Sequence, residues 1–202
     1  QALASAASSQ PKNPSGNIIA VYYAVGDIVN EPTNGLYTVP EIASRKVIKD
    51  LEELAADDDI KAVVMRVNSP GGSALASDII WREVELLKAK KPVIVSMGSY
   101  AASGGYYISA PADAIVADRL TLTGSIGVFG MLPSYGKALE NKVGITFDGV
   151  TTNKYSDLGN GMDPLNDAEY KAMMRGVDRV YGRFTSLVAE GRNLTIEKVL
   201  DI

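Results

Sequence analysis

"KAVVMRVNSPGGSALASDII", residues 61–80, changes its pattern twice. Residues 61–67 are a near-continuous apolar run, the signature of a strand covered on both faces. "NSPGGS" at 68–73 is a sharp turn, punctuated by proline and two glycines. Apolar side chains then return at helical spacing, through Leu75, Ile79, Ile80, Val84 and Leu87, to about residue 90. Strand, glycine turn and helix in succession are the repeating unit of an α/β fold.

The same alternation extends both ways. Upstream, "NIIAVYYAV" (17–25) reads as a strand. In "TVPEIASRKVIKDLEELAADDD" (38–59), Thr38 is placed to cap a helix, with Pro40 in its first turn and Glu41 three residues on. Ile42, Val47, Ile48, Leu51, Leu54 and Ala55 supply its apolar stripe. Downstream, "PVIVSMG" (92–98) is a strand that runs into "SYAASGGYYISAP" (99–111) and a short helix. "AIVA" (114–117), the glycine-rich "SIGVFG" (125–130) and "GITFDGV" (144–150) read as further strands. A polar loop, "TTNKYSDLGNGMDPLN", precedes a long amphipathic helix from Asp167 through Tyr170, Met174, Val177, Tyr181, Phe184 and Val188. "LTIEKVLDI" begins another helix. Residues 1–16, small, polar and proline-bearing, read as a linker or the end of an upstream domain; 17–202 read as one α/β domain, C-terminally truncated.

Composition narrows the chemistry. The 202 residues are 46% hydrophobic, enough for one sizeable core. A net charge of −4 with no Lys/Arg-rich run argues against a nucleic-acid partner. No apolar run is long enough to span a bilayer. The chain has no cysteine and no histidine, which removes thiolate chemistry, histidine-ligated zinc and any Ser-His-Asp triad built from its own residues. No metal and no cofactor is expected. A serine activated here would need another base, most simply a lysine.

Sites in open α/β folds gather beyond the carboxyl ends of strands. Gly71-Gly72 follow the strand ending at Val67, and Ser103-Gly104 follow the strand ending near Met97. If the strands are neighbours, the amides of Gly71 or Gly72 and of Gly104 can converge on one developing negative oxygen, where a single donor is worth roughly 3–4 kcal/mol. Alone, "SPGG" is most often a turn and "ASGG" most often packing. Neither GxxxxGK[ST] nor GxGxxG is present, so a phosphate-binding reading is weaker. Two such elements at successive strand ends favour a nucleophilic Ser103.

"VVMRVNSPGGS", "PVIVSMGSYAASGGYYISAPADAIVAD" and "LTGSIGVFG", in this order over residues 63–130, resemble the signal peptide peptidase A (protease IV) family. These serine peptidases share the fold of the Clp protease proteolytic subunit and of crotonases. The resemblance implies a repeated β-β-α fold with a mostly parallel sheet. It puts the nucleophile on Ser103, the oxyanion donors on Gly71, Gly72 and Gly104, and a serine that helps hold a catalytic lysine on Ser125. It also implies peptide binding along Gly127, Val128 and Phe129, by addition of a strand. The family's Ser-Lys dyad agrees with the missing histidine. In single-length members the lysine follows the strand matching "GITFDGV"; here Thr151 and Thr152 occupy that register, and Lys154 comes about three places late. The chain therefore fits the C-terminal copy of the double-length form. The general-base lysine is expected outside this chain, on the N-terminal copy, with Lys154 a surface residue and the isolated chain inactive. Signal peptides as substrates, a homo-oligomer, and a membrane anchor holding the catalytic domain on the periplasmic side are further implications, this fragment itself being soluble. Two alternatives stand beside this reading: a crotonase-like thioester enzyme using the same amide pair, and a catalytically incomplete peptide-binding or assembly domain.

Overall fold

Strand β1 (Ile18–Val25) lies parallel to β4 (Ile60–Ser69), β4 parallel to β5 (Val93–Ala102), and β5 parallel to β6 (Ala114–Val116). The far end of β5 also takes β7 (Leu122–Gly124) as a parallel partner, through Tyr100–Ala102. This is a computed structural model, which describes residues 16–33 and 39–201. They divide into two compact units, one running to Ile126 and resuming at Thr185, the other Gly127–Phe184.

In the first unit the alternate residues Val63, Met65 and Val67 of β4 and Val93, Val95 and Met97 of β5 point to one face and are buried. Helix α1 (Ser44–Ala56) contributes Val47 and Leu51 to that core. Helix α2 (Ala74–Lys88) contributes Ala76, Ile80, Val84 and Leu87, and the short α3 (Gly104–Ser109) adds Ile108. Parallel strands need such crossovers, because no hairpin can join them. The opposite face of β1 stays open, with Ile19, Val21 and Tyr23 exposed. Ser73 caps α2, its hydroxyl accepting from Ala76 N at 3.2 Å. Leu75, expected in the apolar stripe, faces outward.

The capping box expected at residues 38–41 is corrected. Glu41 lies in a short strand, β3 (Glu41–Ala43), paired in parallel with β2 (Asp27–Val29), and α1 begins only at Ser44. Glu41 instead accepts from the Thr33 amide at 2.8 Å and from its hydroxyl, and these bonds hold its carboxyl below the usual range. Ile42 is buried from a strand position rather than a helical one; Thr38 lies outside the described residues.

The second unit carries α4 (Gly136–Val143) and most of α5 (Asp167–Arg192), the expected long helix. The strands expected at 125–130 and 144–150 are absent: neither stretch forms a ladder. Residues 151–166 are loop and turn, as expected. Back in the first unit, the end of α5 buries Leu187 and Val188, and Arg192 donates to the carbonyls of Ala110 and Ala112 at 3.3 and 3.2 Å. Helix α6 (Ile196–Leu200) follows, capped by Thr195 and burying Val199.

Candidate active site

Ser103 sits between the end of β5 and the first turn of α3, with φ 50° and ψ −119°. A positive φ is costly for a residue with a Cβ, and such strain persists only where the surroundings enforce it. Here they do. The Ser103 N–H donates to Gly124 O at 3.0 Å, and its carbonyl accepts from Tyr107 N at 2.9 Å. The side chain is half-buried, and its hydroxyl makes no hydrogen bond among the described residues.

The small residues after it explain the cramped sequence. A Cβ on Gly105 would stand 2.6 Å from Ser69 O. The glycines let α3 press against β4 and the 70–73 loop. That close packing accounts for the lack of side chains at 104 and 105.

The 70–73 loop meets Ser103 from the neighbouring strand. Gly71 has φ 109°, and a Cβ there would stand 2.7 Å from Gly104 N and 2.9 Å from Ser103 Cβ. Only glycine fits so close. Ile28 of β2 holds the loop: its N–H donates to Gly71 O, and its carbonyl accepts from Ser73 N, both at 2.8 Å. The Gly71 amide is occupied, donating to the buried Ser69 hydroxyl at 3.1 Å. The amides of Gly72 and Gly104 make no hydrogen bond among the described residues. Gly71, Gly104 and Ser103 are thus brought together, as the sequence suggested, with the Gly71 amide turned to Ser69.

Ser125 also carries a positive φ, 48°. It directly follows Gly124, whose carbonyl holds the Ser103 amide, so two of the three non-glycine residues with positive φ among the described residues flank one hydrogen bond. Gly127, Val128 and Phe129 fall in the second unit, where Phe129 is 90% exposed. Residues 125–130 make no backbone hydrogen bond among the described residues, leaving their peptide groups open to a partner. Lys154, also in the second unit, is exposed, with its ammonium 5.5 Å from the centre of the Tyr155 ring.

Sequence reading overlooked three side chains. Ser69 holds the Gly71 amide, while Asn68 and Thr121 bond to the backbone of β5 upstream of Ser103. Ser69 and Asn68 look like turn residues in the sequence: the Asn68 partners lie about thirty residues on, and the Ser69 bond to Gly71, though local, depends on the backbone turn. Among the described residues, no group of three acidic side chains could hold a metal ion, and no helix is long and apolar enough to cross a membrane.

The family model of Peptidase family S49 matches residues 85–202. The chain belongs to this family. The Clp protease model matches residues 37–125 of this S49 chain. It is 42% identical over 185 residues to Protease 4 of Haemophilus influenzae, an alignment covering 91% of this chain and 29% of that protein. It is 32% identical over 178 residues to a putative signal peptide peptidase of Enterococcus faecium, covering 88% and 52%. Among solved structures, a ClpP1 mutant from Listeria monocytogenes superposes with a TM-score of 0.53 at 17% identity, covering 90% of this chain and 77% of that one. That likeness establishes the Clp-protease fold. The S49 chain spans under a third of the length of Protease 4.

Proposed function

We propose that this chain carries the nucleophile of a Ser-Lys endopeptidase that digests cleaved signal peptides at a membrane. The single observation that carries the reading is Ser103, a strained serine with an unbonded hydroxyl, next to the unbonded Gly104 amide and packed against Gly71. Membership of the S49 family and the likeness to the Enterococcus signal peptide peptidase support the reaction and the substrate class.

On this reading the Ser103 Oγ attacks the scissile carbonyl carbon and passes its proton to a neutral lysine amine. The carbonyl oxygen becomes an oxyanion held by the Gly104 amide and the 71–72 loop. Collapse expels the amine half of the peptide, which takes the proton back from the lysine. Water then releases the acyl group by the same route in reverse. An exposed lysine titrates near 10.4, so the base has to be desolvated or crowded by charge to be neutral. Lys154 is exposed, and Asp157 follows it closely in sequence; the base is assigned instead to the N-terminal copy of the same protein. Ser125 holds that lysine, and the open backbone of Gly127, Val128 and Phe129 receives the peptide as an added strand. A membrane anchor, a periplasmic active site and a homo-oligomer complete the proposal. A crotonase-like reaction would use the two amides but gives no role to a strained serine.

In the full-length protein, Ser103→Ala is expected to abolish peptide hydrolysis with little change in thermal stability. The isolated chain is expected to hydrolyse peptides no faster than its own Ser103→Ala form. Ser103-dependent turnover by the isolated chain, lost on Lys154→Ala, would place the complete dyad within these residues and sink the assignment of the base.

A further inference from the structure

Strands β4 and β5 are paired residue for residue from Val63 opposite Val93 to Val67 opposite Met97, but the next pair is Ser69 opposite Ala101. Asn68 alone therefore faces Gly98, Ser99 and Tyr100, a bulge with two extra residues in β5. Side chains satisfy the backbone groups that this bulge takes out of the ladder. Asn68 Oδ1 accepts from Ser99 N at 2.9 Å and Tyr100 N at 3.3 Å. Thr121 Oγ1 donates to Gly98 O at 2.8 Å, and Arg66 Nη1 donates to Met97 O at 2.7 Å. A Cβ on residue 98 would run into the Asn68 side chain, so glycine there and asparagine at 68 fit as a pair.

The bulge decides where β5 ends. With unbroken pairing, Ser99 would stand opposite Ser69 and residue 101 opposite residue 71. Ser103 would then overshoot Gly71 by two residues, about 7 Å along a strand. We propose that Asn68 is a positioning residue for the reaction: its carbonyl oxygen pins the β5 bulge and thereby sets Ser103 against the 71–72 loop. The inference rests on Ser103 being the nucleophile. Asn68 touches neither substrate nor reacting atoms, and its Nδ2 makes no hydrogen bond among the described residues. The acceptor alone does the holding.

The test uses the full-length protein with a chromogenic peptide and a fluorophosphonate. Asn68→Leu removes the acceptor at similar volume; Asn68→Asp keeps it. The leucine variant is expected to lower kcat and the rate of Ser103 labelling about 10- to 100-fold with KM little changed, the scale of a nucleophile misplaced by about 1 Å. The aspartate variant is expected to recover most of both rates. Wild-type kcat in Asn68→Leu, or equal losses in both variants that track their melting temperatures, would overturn the proposal. If the leucine variant fails to fold, Thr121→Val, which releases Gly98 O from the same bulge, takes its place: a fall in kcat at unchanged KM supports the role and an unchanged kcat refutes it. Ser103→Ala is run alongside. Full activity there would overturn the nucleophile itself, whatever the Asn68 variants show.

Discussion

The sheet unit and the Gly127–Phe184 unit draw on the same kinds of residue and treat them in opposite ways. In the first, Val63, Val67, Val95 and Ile108 are completely shielded from solvent. In the second, Phe129, Met131 and Val150 are exposed by 90%, 82% and 96%, and no residue from Gly127 to Arg183 is buried. The apolar pattern "SIGVFG" is no weaker as a strand signal than "AIVA", yet only the latter is a strand. The difference is a partner. A helix closes its hydrogen bonds within itself, so α4 and α5 form wherever their sequences fall. A strand exists only beside another, and "AIVA" has β5 next to it while residues 125–130 have none. Ser103 is built where partners are abundant, and the proposed peptide-binding backbone where they are lacking.

Truncating a core side chain should separate the units most sharply. Leu87→Ala, in α2 against the sheet, is expected to destabilise the protein by about 2–5 kcal/mol in denaturant unfolding. Phe129→Ala and Val150→Ala should stay within about 0.5 kcal/mol. Comparable losses in both places would mean that the second unit has a core of its own. Next in size is Gly71→Ala, whose Cβ has no room beside Gly104 N and Ser103 Cβ. Peptidase kcat is expected to fall about 100-fold, the cost of a small displacement at the nucleophile. Gly127→Ala, in open space, should leave thermal stability within about 0.5 kcal/mol. A harmless Gly71→Ala would mean that the close approach is not needed.

How much of this was legible in the sequence follows the same division. Strands β1, β4, β5 and β6, helix α2 and the long α5 could be read because their apolar spacing is local and their partners are present. That Ser103, Gly71 and Gly104 come together was readable because each follows the end of a strand and the two strands are neighbours. The capping box at Thr38–Glu41 misled, since Glu41 spends its carboxylate on Thr33 and its backbone on the β2–β3 ladder. The β5 bulge had no local signature. It depends on Asn68 meeting Gly98 across two strands, and neither residue is unusual on its own.

Two smaller effects probe the sheet unit further. Ser73→Ala removes the cap of α2 beside the 71–72 loop and should cost about 1 kcal/mol. No loss at all would show that the loop, not the cap, fixes the start of the helix. Tyr22 is pushed well above the ordinary phenol value by burial, and then by the Asp50 carboxylate, which accepts its hydroxyl at 3.0 Å. A phenol whose pKa is raised on folding contributes stability that is complete below about pH 10 and is lost as pH climbs past that value. Tyr22→Phe should therefore cost about 1 kcal/mol at neutral pH, from the lost hydrogen bond, and flatten the alkaline fall in stability. An unaltered alkaline profile would show that Tyr22 does not govern it.

The nucleophilic role of Ser103 is tested most directly by treating the full-length protein with a fluorophosphonate and mapping the adduct by peptide mass spectrometry. One adduct is expected, on Ser103, formed in step with loss of peptidase activity and absent from Ser103→Ala. An adduct on a different serine that accounts for the lost activity, or full inactivation of the Ser103→Ala protein's remaining turnover by the same reagent, would contradict it.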